Sequence, residues 1–132
     1  MPRHAVHSTA DPERLWSLIS RPDRWSLWSP HVRGAEGLGS PEVSEGARGS
    51  VVLRGGARLG AEITEVTPGR SWSWRVGGLE IHHIVESSGP GSRLTFVVEP
   101  ARARWAPAAA AYAPLVGLIA RRITRIAEAD HA

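Results

Sequence analysis

An alternation of extended runs and turn signals between residues 49 and 99 constrains the fold of this chain more than any other feature. Five extended runs are separated by four turn signals, and each signal contains Gly or Pro. The predicted strands are 49–54, 57–66, 71–76, 79–86 and 92–99. Gly55-Gly56 and Gly77-Gly78 suit two-residue hairpin loops, which join antiparallel neighbours. The pattern therefore predicts a five-stranded antiparallel meander.

Hairpin parity predicts which side chains share a face of this meander, because residues directly opposite in an antiparallel pair point the same way. We assign two-residue loops to the Gly-Gly pairs and to Pro68-Gly69, and a four-residue loop to 88–91. All four hairpins then agree on one apolar face. Its predicted members are Val52, Leu59, Ala61, Ile63, Trp72, Trp74, Val76, Leu79, Ile81, Val85, Leu94, Phe96 and Val98. The opposite face collects complementary charges, as a wet surface does.

Three polar residues fall on the predicted apolar face: Arg54, Glu65 and His83. Glu65 and His83 are expected to flank Trp72 from neighbouring strands, roughly 10 Å apart, which is two strand spacings. At that separation they do not touch each other, but one ligand can contact both. Arg54 lies at a hairpin end, where its guanidinium is able to reach water.

Residues before the meander predict a strand and two short helices. Residues 3–8 form an opening strand, and Asp11, Pro12 and Glu13 suit the start of a helix. A second short helix is predicted at 22–28, and one strand near 32–37. Trp16, Trp25 and Trp28 are interpreted as core residues of these helices, with Trp28 bordering an entrance.

The alanine-rich tail from 101 to 129 predicts a helix. Pro107 and Pro114 predict a kink or an earlier break, so the main helix is placed at about 113–129. Its predicted apolar stripe consists of Leu115, Leu118, Ile119, Ile123 and Ile126, with Tyr112 above them. The predicted fold class is α+β, with an antiparallel sheet that has one apolar face and a C-terminal helix that has an apolar stripe.

Composition narrows the class of protein. A length of 132 residues fits one domain over 1–132, and no apolar run approaches the roughly 20 residues of a membrane-spanning helix. The first residues lack the apolar core of a secretion signal, so a cytoplasmic location is expected. The net charge is only +3, and the arginine clusters are not interleaved with aromatic residues, so no nucleic-acid partner is expected.

The sequence contains no motif that predicts a metal site, a cofactor site or a nucleophilic catalytic residue. The chain has no Cys, and the adjacent His82 and His83 point to opposite faces of a strand. No HExxH motif or Gly-x-Ser-x-Gly turn occurs, and the Gly-Gly pairs are hairpin tips rather than phosphate-binding loops. We therefore expect neither a metal ion nor a cofactor.

Several segments together resemble the START-related lipid-transfer superfamily (SRPBCC), in particular its polyketide cyclase/dehydrase-like branch. The segments are 10–16 (ADPERLW), 23–30 (DRWSLWSP), 45–49 (EGARG), 65–74 (EVTPGRSWSW) and 91–95 (GSRLT). The resemblance implies a helix-grip fold, in which a curved antiparallel sheet, two short helices after the first strand and a long C-terminal helix enclose a cavity. It also implies a hydrophobic ligand such as a lipid or a polyketide, and some members catalyse ring closure or dehydration.

Three functions stay open at this point. The first is binding or carriage of a hydrophobic small molecule, the second is a polyketide cyclase or dehydratase, and the third is a protein- or RNA-interaction module. In the enzyme, His83 would move protons, Arg54 would polarise a carbonyl, and Trp72 and Trp74 would hold the substrate folded. Otherwise His83 is a satisfied core histidine. The predicted ligand-binding residues are Arg54, Leu59, Ile63, Glu65, Trp72, Trp74, Ile81, His83, Phe96, Tyr112, Leu115 and Ile119.

Overall fold

A computed structural model describes residues 3–129 and shows a seven-stranded antiparallel sheet in this part of the chain. The strands are β1 (Arg3–Ser8), β2 (Val32–Glu36), β3 (Arg48–Leu53), β4 (Arg58–Thr67), β5 (Ser71–Val76), β6 (Leu79–Ser88) and β7 (Gly91–Pro100). Their order across the sheet is β1-β7-β6-β5-β4-β3-β2. The five strands of the predicted meander, β3 to β7, are therefore consecutive neighbours.

The helices lie between β1 and β2 and after β7. They are α1 (Pro12–Ser20), α2 (Trp25–Trp28) and α3 (Ala106–Ala129), with short 3-10 turns at Pro22–Arg24 and Ala103–Trp105. The long helix α3 packs against β1, β7 and α1, on the side of the sheet that carries the core. This arrangement confirms the predicted α+β helix-grip class. Within residues 3–129, no helix is both long enough and apolar enough to cross a membrane.

The hairpins β5–β6 and β6–β7 have the predicted registers. Gly77 and Gly78 have φ angles of 56° and 82°, which a two-residue loop with positive φ at both positions requires. As a result Trp72 lies opposite His83 on the next strand. His83 in turn lies opposite Phe96 on β7. These three side chains therefore share the concave face that was assigned to them by parity.

The β3–β4 hairpin differs from the prediction by one residue. Its loop has three residues, because the amide of Leu53 donates to the carbonyl of Ala57 at 2.7 Å, and Val51 rather than Val52 lies opposite Leu59. Arg54 is drawn out of the strand pair, since its amide donates to the carbonyl of His31 at 2.9 Å. Val51 and Leu53 therefore replace Val52 and Arg54 on the concave face.

The β4–β5 pair contains a β-bulge that the parity argument missed. Ile63 lies opposite Trp74 as predicted, but Glu65 lies opposite Ser73, so one extra residue is inserted at Thr64. The bulge reverses the facing of residues 65–67 only, because the loop after Thr67 has three residues, 68–70, where two were predicted, so β5 keeps its predicted faces. Glu65 is consequently exposed on the outer face, and Val66 takes the place opposite Trp72.

Helix α3 is longer than predicted and rotated about its axis. It begins at Ala106, spans 24 residues and runs through Pro114 without ending. Pro107 sits in the first turn, where a missing amide proton removes no helical hydrogen bond. The buried stripe is formed by Ala109, Val116, Ile119, Ala120, Ile123, Thr124 and Ala127. Small residues allow close approach to the sheet, and Leu118 of the predicted stripe is 61% exposed.

Candidate functional site

A cavity of about 220 Å³ lies between the concave face of the sheet, α2 and α3. Strands β3 to β7 supply its floor, and α2, the segment after it and α3 supply its walls. Its lining is predominantly apolar and aromatic, and none of the described lining residues is Asp, Glu, Lys or Arg. This arrangement of a largely apolar cavity with a few polar groups is typical of small-molecule sites.

Most of the ligand-binding residues that were predicted from the sequence line this cavity. Those that line it are Leu59, Trp72, Trp74, Ile81, His83, Phe96, Tyr112 and Ile119. Leu59 is among the exposed large hydrophobic residues, so it marks the open side. The remaining members connect the centre of the sheet with the inner face of α3.

Four nominated residues do not line the cavity. Ile63 is fully buried on the same face, within the packed core. Leu115 is half-buried and faces a different groove, beside the arginines of α3. Glu65 is exposed because of the bulge described above. Arg54 binds main-chain carbonyls instead, with Nε and Nη2 each 3.1 Å from the carbonyl oxygens of Pro30 and Ser26.

Residues around α2 also line the cavity, although they were not predicted as ligand-binding residues and only Trp28 was expected to border an entrance. They include Trp25, Trp28, Ser29, His31 and Val32. Their signal in the sequence was the three-residue spacing of Trp25 and Trp28, which places both on one helix face. Local geometry fixes both indoles: Trp25 Nε1 donates to the carbonyl of Ile19 at 2.8 Å and Trp28 Nε1 to that of Leu18 at 2.9 Å.

Three rings form a continuous stack at one end of the cavity. Trp72 is stacked on Trp25 with centroids 5.4 Å apart and an interplanar angle of 9°. Trp72 is also stacked on His83, with centroids 3.8 Å apart and an interplanar angle of 13°. Two rings therefore lie nearly parallel to the Trp72 indole, which also lines the cavity.

Trp74 and Phe96 close the sides of the stack. Trp74 meets Trp72 edge-to-face at 5.3 Å, and Phe96 meets His83 in the same way at 4.8 Å. Such contacts favour well-defined ring orientations beyond simple burial. The indole nitrogens of Trp72 and Trp74 are buried, and neither has a hydrogen-bond partner among the described residues.

The orientation and proton of His83 are set by one hydrogen bond. His83 Nδ1 lies 3.0 Å from the main-chain oxygen of Trp72. A carbonyl oxygen only accepts, so Nδ1 carries the proton. His83 is 2% exposed, and desolvation lowers its pKa to about 3, which keeps the imidazole neutral at neutral pH. Nε2 is then an unprotonated acceptor, and it has no hydrogen-bond partner within residues 3–129.

The other titratable groups that line the cavity are His31 and Tyr112. Burial lowers the pKa of His31 and raises the pKa of the Tyr112 phenol. Both shifts favour the uncharged form of the side chain at neutral pH. The cavity is therefore an electrically neutral environment.

A serine, a histidine and a glutamate also align on the outer face of the sheet. Ser73 Oγ lies 2.7 Å from His82 Nδ1, and His82 Nε2 lies 3.5 Å from a carboxylate oxygen of Glu99. Ser73 is only 3% exposed, so its hydroxyl is shielded from an external substrate, which a nucleophile has to reach. We interpret this chain as a cross-strand support of the sheet. In the described part of the chain, no three His, Asp or Glu residues are placed to hold a metal ion.

The family model for polyketide cyclase / dehydrase and lipid transport proteins matches residues 3–129. The comparison with curated proteins gives no match.

Among solved structures, a protein from Nitrosomonas europaea aligns with a TM-score of 0.77 and 11% identity, over 98% of this chain and 94% of its own. A Bacillus halodurans protein aligns with a TM-score of 0.74 and 15% identity, over 96% of both chains. A Mesorhizobium loti protein aligns with a TM-score of 0.73 and 14% identity, over 93% of this chain and 94% of its own. At these identities the likeness shows the fold alone.

Proposed function

The chain belongs to the polyketide cyclase / dehydrase and lipid transport family, and on that premise we propose that it binds a hydrophobic small molecule in the cavity beneath α3. The observation that carries the proposal is the cavity itself, about 220 Å³ in volume and lined by apolar and aromatic side chains. Binding without chemical conversion is the function that this geometry supports best.

The energetics of an empty cavity favour an occupant. At ~24 cal/mol per Å³, a dry void of this volume would destabilise the fold by about 5 kcal/mol. That is comparable with the total stability of a small domain, ~5–15 kcal/mol. Because the cavity is open at Leu59, we expect water to fill it until a ligand of matching shape binds, and a ligand that binds only the folded protein stabilises it.

Catalysis has less support from the residues that line the cavity. An efficient general acid or base has a pKa near the working pH, whereas burial lowers the pKa of His83 to about 3. Arg54, the residue expected to polarise a carbonyl, binds Pro30 and Ser26 outside the cavity. The cyclase or dehydratase alternative therefore lacks both the proton-transfer group and the carbonyl-polarising group that it requires.

Native mass spectrometry of protein purified from its own host tests the proposal first. We expect a co-purified small organic molecule that is released on unfolding. Titration with naphthalene, followed by calorimetry and thermal shift, provides a defined second test. Saturable one-to-one binding with a raised Tm supports the proposal.

Two variants of α3 locate the binding site. Ile119→Phe fills the cavity and is expected to weaken naphthalene binding at least tenfold. Leu118→Phe is the matched control, because Leu118 is on the same helix but points outward, and it should bind like the wild type. Equal binding by both variants, or no saturable binding by the wild type, would contradict the proposal.

A further inference from the structure

We propose that the ligand is an uncharged molecule of one or two rings that donates a hydrogen bond, through a hydroxyl group, to Nε2 of His83. This inference rests on the proposed function and adds the chemical class of the ligand. It is carried by the orientation of His83, by the absence of charge around the cavity and by the cavity volume.

The geometry of His83 fixes which atom faces a ligand as an acceptor. Nδ1 is committed to the carbonyl of Trp72 at 3.0 Å, and the ring is held between Trp72 at 3.8 Å and Phe96 at 4.8 Å. The imidazole therefore cannot exchange its two nitrogens without breaking this bond and the stack. Nε2 remains as an acceptor with no partner among the described residues, on a side chain that lines the cavity.

The hydrogen-bonding character of His83 Nε2 determines which ligand group it prefers. A neutral imidazole with its proton on Nδ1 accepts at Nε2 and cannot donate there. A ligand hydroxyl satisfies it, whereas an ether or ketone oxygen at the same place would face a lone pair. Because a buried polar group without a partner is destabilising, the preference is expected to be measurable in affinity.

Charge and volume limit the rest of the ligand. No formally charged side chain of the described lining could neutralise a carboxylate or an ammonium, and burying an unpaired charge is strongly unfavourable. A dry engineered cavity of about 150 Å³ accommodates benzene. A volume of about 220 Å³ therefore suits one ring with substituents or two fused rings.

Four naphthalenes of the same ring system test the inference by calorimetry. 2-Naphthol offers a donor, 2-methoxynaphthalene only an acceptor, naphthalene neither, and 2-naphthoate a charge. We expect 2-naphthol to bind about tenfold more tightly than naphthalene, which is the gain of one hydrogen bond. 2-Methoxynaphthalene should show no such gain, and 2-naphthoate should bind more weakly than naphthalene.

Two adjacent histidines provide the variant and its control. His83→Phe keeps an aromatic ring but removes Nε2, so it should bind 2-naphthol and naphthalene equally. His82→Phe changes the neighbouring residue on the outer face and should keep the tenfold preference. If His83→Phe does not fold, the ¹⁵N chemical shift of His83 Nε2 in the wild type decides: 2-naphthol should move it and naphthalene should not.

The outcomes separate this inference from the proposed function. Equal binding of 2-naphthol and naphthalene, with an unmoved Nε2 resonance, would refute the hydroxyl assignment and leave hydrophobic binding intact. Tighter binding of the methoxy compound than of the naphthol would also refute it. Failure of all four compounds to bind would contradict both proposals.

Discussion

His83 donates from Nδ1 to the main-chain oxygen of Trp72, and the rings of the same two residues are stacked 3.8 Å apart. The two residues lie directly opposite each other on β5 and β6. Trp72 and His83 are therefore linked in three ways: as cross-strand neighbours, by a side-chain hydrogen bond and by ring stacking. The pair lies where the sheet meets α2, because Trp25 of α2 is also stacked on Trp72.

Loss of the Trp72 side chain should destabilise the fold strongly. Trp72 is 1% exposed and is stacked on both Trp25 and His83, so Trp72→Ala removes a large volume from the core. We expect a loss of about 3–5 kcal/mol in the free energy of unfolding, measured by urea denaturation. Trp105→Ala is the control, because Trp105 is among the exposed hydrophobic residues, and its loss should be at most half as large.

The stability of the protein should fall as the pH falls from 6.5 towards 3, because of His83. In the unfolded chain its pKa is near 6.5, whereas burial lowers it to about 3 in the folded protein. Between these values the unfolded state binds more protons, so the free energy of unfolding decreases with falling pH, by up to about 1.4 kcal/mol per pH unit. Above 6.5 the contribution is fully present and constant.

Urea denaturation at pH 7, 6, 5 and 4 measures this dependence. Carboxylates contribute to the slope at the acid end, so the comparison is between the wild type and His83→Phe. The variant should show a shallower slope, and His82→Phe should keep the slope of the wild type. An identical slope in wild type and His83→Phe would show that His83 is not buried as a neutral base.

The tip of the β5–β6 hairpin should tolerate Gly77→Ala better than Gly78→Ala. A Cβ at Gly78 would lie 2.6 Å from Cδ2 of Trp105, whereas a Cβ at Gly77 meets open space. Both glycines have positive φ, so each substitution carries a backbone penalty of roughly 1 kcal/mol. Gly78→Ala should therefore destabilise the protein further, and the difference should largely disappear in a Trp105→Ala background, as a double-mutant cycle by urea denaturation can show.

Arg54 should affect stability but not ligand affinity. Its guanidinium bonds to the carbonyl oxygens of Pro30 and Ser26, outside the cavity. Arg54→Ala is expected to lower the free energy of unfolding by about 1–2 kcal/mol and to leave the Kd for naphthalene within twofold. Glu65→Gln, on the exposed outer face, should change neither quantity. A tenfold loss of affinity in Arg54→Ala would show that Arg54 contributes to ligand binding.

The sequence predicted the central part of the site because short loops transmit register. Gly77-Gly78 is a two-residue loop, and parity across it correctly placed Trp72, His83 and Phe96 on one face. The same rule failed where the chain adds a residue. No residue type marks the bulge at Thr64, and the Gly-Gly pair after Leu53 does not distinguish a two-residue loop from the three-residue loop that the chain forms.

Hydrophobic periodicity does not predict that residues of α2 line the cavity, nor which face of α3 is buried. Trp25 and Trp28 are spaced like any core pair, and only the position of α2 against the sheet makes them line a cavity. On α3 the large aliphatic residues suggested the buried stripe, whereas Ala120 and Ala127 occupy it. Small residues at these positions allow α3 to pack closely against the sheet. This packing depends on the partner surface and not on the helix alone.

Intermolecular NOEs between naphthalene and methyl-labelled protein test the central claim most directly. We expect cross-peaks from the ligand to the methyl groups of Ile81 and Ile119, which line the cavity, and none to the outward-facing Leu118. Cross-peaks confined to Leu118 and other surface methyl groups, or none at saturating ligand, would show that the interior of this fold does not receive a hydrophobic molecule.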